Sequence, residues 1–327
     1  MNEDSIVVVT NQYDPHADVV ITELNRRSKN VIRLNTEDFP TKINFTFDSE
    51  VDMAEFVLPM SRVICFDSVK SIWYRRPEPC IVDPKVVDMS MRSFAQRESQ
   101  AVLDSFYESF SGFWMSHPLK IRAASRKIYQ LRLAKSLGLI VPPTLVTNNP
   151  ERARDFYQNH KEEVIVKVLG PPVVETEGGF YSFSTVVVEE KDLVNLDYVR
   201  FAPTLLQAYI PKKFEFRITV VGSKLFICEI HSQDSEKSRI DWRLFDPENP
   251  IPHKQGKLPW EIERKIVKMV KLLGLSFAAI DMIVTPENEH VFLEINPNGQ
   301  WAWIEELTGM PIAKAIADLL VRGGELG

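Results

Sequence analysis

Apolar residues fall into short runs separated by polar, often proline-bearing stretches, and the period of the pattern switches along the chain. The first run, Ile6 to Thr10, reads as a strand, followed by a polar loop, a helical pattern to about Ser28 and a strand over Val31 to Leu34. A strand–helix–strand start predicts a small α/β layer. Val63 to Phe66 and Ile72 to Tyr74 predict two further strands, the second leading into Arg75 and Arg76. Val102, Phe106 and Phe110 recur every fourth position in a long helix expected over about 88–110.

Ser116-His117-Pro118 breaks that pattern and marks a first boundary. A helix over about 125–137 should end at Gly138, a residue type suited to the left-handed turn that closes helices. A strand at Thr144–Thr147, a helix opened by Asn149-Pro150 and a strand over Val164–Leu169 follow. Gly170 to Gly179, with Pro171, Pro172 and Gly178, reads as a mobile loop. A short helix at 190–196 precedes a strand, Leu205–Ile210, stopped by Pro211.

The remainder alternates cleanly. Phe214, Phe216, Ile218 and Val220 share one strand face, opposite Lys213, Glu215, Arg217 and Thr219. Gly222-Ser223 predicts a two-residue hairpin turn. Ile262, Ile266, Met269, Val270 and Leu273 form the apolar stripe of a helix over 259–274. A last hairpin (276–285 and 290–296) and a helix from about Pro311 close the chain, which carries no internal repeat.

Composition narrows the classes. The 327 residues carry 39 basic and 45 acidic side chains, a formal charge of −6, which suits an ordinary globular protein of two or three domains. Thirteen glycines are few, and none completes either of the common glycine-rich phosphate loops. Cys65, Cys80 and Cys228 are odd in number and widely spaced, which fits a reducing compartment and predicts a cytoplasmic address. The start, MNEDSIVVVT, is acidic where a signal peptide is basic, and no apolar run reaches the ~18 residues that span a bilayer. No membrane partner is expected. The basic positions between Lys120 and Lys135 lie in one helical region with a single aromatic, Tyr129, so no nucleic-acid partner is expected either. The six histidines form no zinc motif, and no serine sits in a nucleophile elbow.

The last hairpin carries the most chemistry. A symmetric register over SFAAIDMIVT and HVFLEIN sets Asp281 opposite Glu294, with Asn296 on the same face. Ile280, Met282 and Val284 would share the other face with Val291, Leu293 and Ile295. Opposed like charges destabilise a sheet, and a hard divalent cation held by carboxylate and amide oxygens relieves that. Solvent exposure of the pair, or pairing of one acid with a nearby Arg or Lys, would relieve it equally.

Glu294-Ile295-Asn296-Pro297, with an Asp on the neighbouring strand, resembles the metal signature of the ATP-grasp superfamily. FLEINPNGQWAWIEELTGMPIAKAIADLL is more specific and resembles the C-terminal part of microviridin-type peptide macrocyclases, the graspetide synthetases. SIWYRRPE, SRKIYQLRLAKSLGL, EKDLVNL, LQAYIPKKFEFRITVVG and FAAIDMIVT match in family order over nearly the whole chain. The resemblance implies an α/β (α+β) ATP-grasp fold with an N-terminal pre-ATP-grasp α/β domain (1–117), a first ATP-grasp subdomain (118–198) and a second bearing the metal site (199–327). It implies an ADP-forming ligase that activates Asp or Glu side chains of a ribosomal precursor peptide, with leader and core, as acyl phosphates. Ring closure with Thr or Ser gives esters, and with Lys amides. A ligase joining an amino acid or amine to a carboxylate in trans, and a non-catalytic nucleotide-binding module, are the alternatives.

The same resemblance assigns roles to residues. Lys127 and Lys167 would hold ATP phosphates, a task that needs no glycine-rich loop. Lys127 stands near a helix start, where a cation requires a nearby anion, and Lys167 interrupts an apolar strand. Gln207, Ala208, Tyr209 and Ile210 would hold the adenine mainly by backbone, with Glu215 also on the nucleotide. Arg217 would steady the transferring phosphate, with a cross-strand ion pair as its ordinary alternative. Asp281, Glu294 and Asn296 would hold magnesium, as two ions. Arg75 and Arg76 are suited to acidic side chains of a peptide, or to a solvated strand end. Glu190, Asp192 and Asn195 match the helix that docks the leader, though Asp and Asn there also suit ordinary helix capping. Trp301 and Trp303 read as packing anchors, with the site side of this loop as the alternative. A homodimer is implied by the family.

Overall fold

The computed structural model describes residues 4–324, except 162, 171–172, 177–178, 245–247 and 249. Pro171, Pro172 and Gly178 of the expected mobile loop, and Met1 to Glu3 of the acidic start, lie outside the described residues. In chain order the first part runs β1 (Ser5–Thr10), α1 (Pro15–Arg26), β2 (Val31–Asn35), β3 (Asn44–Asp48), β4 (Met53–Leu58), β5 (Arg62–Cys65), β6 (Val69–Tyr74), α2 (Met89–Ser109) and β7 (Phe113–Met115). A parallel sheet of order β2-β1-β6-β7 stands beside the antiparallel meander β3-β4-β5. Every residue of β1 is buried, which explains an apolar run without alternation: both faces of a parallel strand are covered. Val7 and Val9 meet Phe56 and Phe106, while Ile6 and Val8 meet the helices at the opposite face.

The middle part comprises α3 (Pro118–Ala124), α4 (Lys127–Ser136), β8 (Thr144–Thr147), α5 (Pro150–Asn159), β9 (Val164–Lys167), β10 (Val173–Thr176), β11 (Gly179–Ser182), β12 (Val186–Val187), a 3-10 helix Glu190–Phe201 and β13 (Thr204–Ala208). The helix expected over 125–137 is α4, and a separate helix, α3, precedes it across the turn at Ser125-Arg126. Lys127 therefore opens α4. Inside the expected loop at 170–179, β10 pairs with β11 as an antiparallel hairpin. The sheet β12-β9-β13-β8 is covered by α5 through Ala153 and Tyr157 against Val164 and Leu206.

The last part holds β14 (Phe214–Val221), β15 (Lys224–Ile230), β16 (His253–Gln255), α6 (Trp260–Leu272), β17 (Phe277–Val284), β18 (His290–Asn296), α7 (Ala302–Thr308) and α8 (Ile312–Arg322). These strands form an antiparallel sheet of order β16-β15-β14-β17-β18. Val221 pairs with Lys224 across the two-residue turn, and Gly222 takes a φ of 61°, a conformation a side chain would strain. One face packs Phe216, Ile218, Ala278, Ile280, Met282 and Phe292 on α6. The opposite face is apolar at one end, where Phe277 and Val221 meet α8, and polar at the other, where the functional candidates lie.

Asp281 pairs with Glu294, Ile280 with Ile295 and Ala279 with Asn296, but a bulge follows Asp281 and Met282 pairs with Phe292. The expected face of Val291 and Leu293 is corrected accordingly: Phe292 joins the core beside Met282, and Leu293 lines the polar cleft. One extra residue shifts the side-chain alternation of that strand by one.

Candidate active site

A cleft of about 1040 Å³ opens between the middle sheet and the polar end of the last sheet. Lys127 comes from the start of α4, Lys167 from the end of β9, Gln207 and Ala208 from β13, Glu215 and Arg217 from β14, Asp281 from β17, and Glu294 and Asn296 from β18. Tyr209 and Ile210, just past β13, complete the wall, with Arg76 at the rim. Every residue assigned to nucleotide, metal or phosphate thus lines one space.

The anion required beside Lys127 is Glu294, to which its ammonium donates. Burial pushes Glu294 up, but Lys127, Lys167 and Arg243 outweigh it and hold the carboxyl well below the usual range. Arg217 donates both hydrogen bonds of its Nη1 to Asp281, at 2.9 and 2.7 Å, and Nη2 to the carbonyl of Gln300 at 3.2 Å. Burial raises the Asp281 pKa despite the opposing pull of Arg217. Asn296 Nδ2 lies 3.2 Å from both carboxylates and donates to each. Lys167 donates to Gln207 Oε1 at 2.9 Å, and Gln207 Nε2 donates to Thr144 Oγ1 at 2.9 Å, so Gln207 acts as the bracket for Lys167. Burial, partly opposed by Glu294, lowers Lys167 to about 8. The N–H groups of Ala208 and Tyr209 donate to the carbonyls of Pro143 and Glu163.

Arg75 departs from its expected role as a surface grip. Its side chain is 0% exposed and donates inward to the Asn298 carbonyl. Just past β6, the Arg75 amide still pairs with the Val9 carbonyl, so Arg75 keeps the parity of Trp73, whose face packs on the C-terminal helices, whereas Arg76 is exposed. Glu190, Asp192 and Asn195 are exposed on the 3-10 helix and do not line the cleft. Asp192 accepts from the Glu189 amide at 2.9 Å within a capping box. Trp301 is buried in the core as a packing anchor, while Trp303 lines the cleft beside Trp242, with ring centroids 5.2 Å apart. Among the described residues no helix is long and apolar enough to cross a membrane.

Residues 5–122 match the family described as the MvdD pre-ATP grasp domain. The fold matches the macrocyclase MdnC of Microcystis aeruginosa MRC, solved with precursor peptide MdnA, at 30% identity and a TM-score of 0.86, covering 97% of this chain and 99% of that one. It also matches a RiPP-associated ATP-grasp ligase of Chryseobacterium gregarium, solved with ADP and a leader and core peptide, at 32% identity and 0.88, covering 98% and 97%. The chain belongs to the RiPP-associated ATP-grasp ligases. A more distant sequence relative is the alpha-aminoadipate–LysW ligase LysX of Sulfurisphaera tokodaii, 21% identical over 218 residues, 64% of this chain and 72% of that protein.

In this ATP-grasp ligase, sequence reasoning missed three residues of the cleft. Lys212 is buried and donates to Glu215 at 2.8 Å and to the Ile240 carbonyl at 3.0 Å, anchoring the segment that follows. There Asp241 takes Arg243 bidentately, at 2.8 Å from Nε and 2.6 Å from Nη2, and lies 3.4 Å from the Thr185 amide. The hydrogen bond to Asp241 raises the Arg243 pKa and keeps it cationic beside Glu294 and Asp281. The spacing of Asp241 and Arg243, with Trp242 between them, was a usable signal, since an Asp can accept from the amide and the side chain of the residue two positions on in a turn. Trp242 itself lies 5.8 Å from the Arg217 guanidinium.

A magnesium site can be tested against this ligase's donors. Two carboxylates and one amide converge, and among the described residues no group of three His, Cys, Asp or Glu forms a protein-only cage. That donor set suits an ion that completes its shell with water and phosphate oxygens. Arg217 Nε is buried without a hydrogen-bond partner among the described residues, a spare donor in the same cleft.

Proposed function

We propose that the protein uses ATP to activate a side-chain carboxylate of a ribosomal precursor peptide and closes a side-chain ring on it. The observation that carries this reading is the convergence of Lys127, Lys167, Arg217 and Arg243 with Asp281, Glu294 and Asn296 on one cleft whose rim holds the exposed Arg76. On this reading 118–198 and 199–327 are the two halves that close on the nucleotide, and 1–117 flanks the peptide side.

The substrate carboxylate oxygen attacks the γ-phosphorus, the bond to the β-phosphate oxygen breaks, and ADP leaves. A Thr or Ser hydroxyl, or a Lys amine, then attacks the acyl carbon. Phosphate departs, a proton is lost from the nucleophile, and the peptide is lighter by one water. Lys127 and Lys167 hold phosphate oxygens as point charges. Arg217, fixed by Asp281 and Gln300, and Arg243, fixed by Asp241, present guanidinium charge that needs little reorganisation as the phosphoryl group transfers. Asp281, Glu294 and Asn296 would hold magnesium, taken as two ions, which when bound neutralises phosphate charge. Arg76 can pair with acidic side chains of the peptide, and Glu190, Asp192 and Asn195 lie on an exposed face suited to a leader segment.

Incubation with candidate precursor peptides and Mg-ATP, read by mass spectrometry, tests the reading. One water lost per ring is expected, with esters distinguished from amides by mild alkaline hydrolysis. Gain of an amino-acid residue would indicate a ligase acting in trans. Glu294→Gln should lower peptide-dependent ADP release by about 100-fold or more.

A further inference from the structure

Chain leaving β18 has no strand beside it from Pro297 to Trp301, yet this segment adjoins Asn296 and supplies the Gln300 carbonyl that fixes Arg217. Several of its backbone groups are satisfied from the N-terminal part of the protein. The Asn298 carbonyl accepts from Arg75 and, at 3.5 Å, from Arg76. The Ala302 and Trp301 amides, at the open end of α7, donate to His16 Nδ1 at 3.2 and 3.5 Å. The His16 ring stacks edge-on to Trp301, with centroids 5.4 Å apart. Asp14 backs both groups: it accepts from the His16 amide at 3.1 Å and lies 3.6 Å from Arg75 Nε.

There is no slack on the other side. A Cβ at Gly299 would stand 2.3 Å from the Ala279 side chain and 2.8 Å from Arg217 Nη2. The segment is therefore pressed on the sheet that carries the carboxylates and held there from the N-terminal part. Arg75 is a poor choice for filling space alone. Its Nε and Nη2 are buried without hydrogen-bond partners among the described residues, an arrangement that costs stability.

We propose that Arg75 and His16 are positioning residues for the metal site. They fix residues 298–302 and, through that segment, hold Asn296 and Arg217 in register with Asp281 and Glu294. The inference rests on the reading of Asp281, Glu294 and Asn296 as the magnesium ligands. It makes the N-terminal part a component of the catalytic geometry as well as a flank to the peptide.

The test is calorimetric binding of the non-hydrolysable analogue AMP-PNP to the full chain, with excess magnesium and with EDTA. Arg75→Met and His16→Leu should each weaken binding about ten-fold or more in magnesium and leave the EDTA value within about two-fold. His16→Asn, whose Oδ1 can accept from the same amides, should stay within about three-fold of the parent in both. A merely structural role predicts lower melting temperatures with the magnesium-dependent gain unchanged. If Arg75→Met gives no cooperative melt, the His16→Leu and His16→Asn pair decides the matter. An unchanged magnesium gain in the folded variants, with the gain abolished in Glu294→Gln, overturns the positioning role alone. If Glu294→Gln also keeps the gain, the metal assignment falls instead.

Discussion

Asp281 and Glu294 are each paired with a cation from another strand or helix. Arg217 with Asp281 and Lys127 with Glu294 keep a buried and a half-buried carboxylate ionisable side by side. Each pair offsets a desolvation penalty that neither member could meet alone. Arg243 is the added cation, and removing it leaves Asp241 without its bidentate partner. Arg243→Ala is expected to lower kcat for peptide-dependent ADP release by about 10²-fold, in line with loss of one donor to a developing anion, with a smaller change in KM for ATP. Asp241→Asn should reproduce part of that loss. Steady-state kinetics on both variants provides the check. Lys167 gives a pH signature. Burial lowers it to about 8, so the free enzyme loses this positive charge as pH rises through that value. kcat/KM for ATP should fall above pH 8 for this reason, and Lys167→Arg, which stays charged, should move that limb upward. Little of the pairing was legible in the sequence. Arg217 and Asp281 are 64 positions apart, and only the pairing of β14 with β17 brings them to 2.7 Å.

At the scale of elements, strands with a clean period of two were the most legible. The 213–221 alternation, the Gly222 turn and the Asp281–Glu294 pairing all follow from side-chain alternation on a half-buried sheet. The bulge after Asp281 was not legible, because the extra residue falls in the unbroken apolar run Val291–Leu293, where it leaves no mark. Strands β3 and β4 went unread as well, since Asn44–Asp48 and Met53–Leu58 mix polar and apolar residues on a meander that is mostly only half-buried. The contact between α1 and α7 carries a prediction of its own. His16 accepts two amide protons on Nδ1, so the fold needs the neutral ring, and burial with the nearby Arg75 charge lowers its pKa to about 4. An unfolded histidine titrates near 6.5, so between pH 6.5 and 4 the unfolded chain binds the extra proton and stability falls with falling pH. Above pH 6.5 the ring is neutral in both states and contributes no slope. His16→Asn should flatten the stability-against-pH curve in that window by up to about 1.4 kcal/mol per pH unit, the limit for one proton. Urea unfolding at pH 4.5, 5.5 and 7 measures it.

Across the whole molecule, α8 is the wedge that joins the two ends. Its Ile312, Ile316 and Leu320 are buried in a single core with Ile6, Val8 and Trp73 of the parallel sheet and with Val221 and Phe277 of the antiparallel one. Ser71 donates to the Leu320 carbonyl at 2.6 Å across the same junction. Ile316→Ala should cost about 2–5 kcal/mol and destabilise both sheets together. Thermal melts followed by near-UV circular dichroism, with Trp73 and Trp301 reporting from either side, should keep one transition; separation into two would show that α8 does not couple the parts. A second cleft, about 940 Å³, lies at the carboxyl ends of the parallel strands and shares Arg76 and Gln300 with the nucleotide-side cleft. The N-terminal part thus meets the candidate active site through exposed Arg76 and through buried Arg75 and His16.

Composition and spacing by themselves determined the class and the chemical inventory. They gave an α/β chain without glycine-rich phosphate loops, an Asp facing a Glu across a hairpin, lysines at awkward places and an arginine on a strand beside them. These are local properties, set by periods of 2 and 3.6 that hold wherever a strand or helix has one buried face. Tertiary structure alone decided which charges meet. It turned Arg75 inward and Arg76 outward, supplied Lys212 and Arg243, and gave His16 to the amides of a helix 285 positions away. Those choices depend on the packing of separate sheets around α8 and on the burial each pair must offset, quantities that no local spacing encodes.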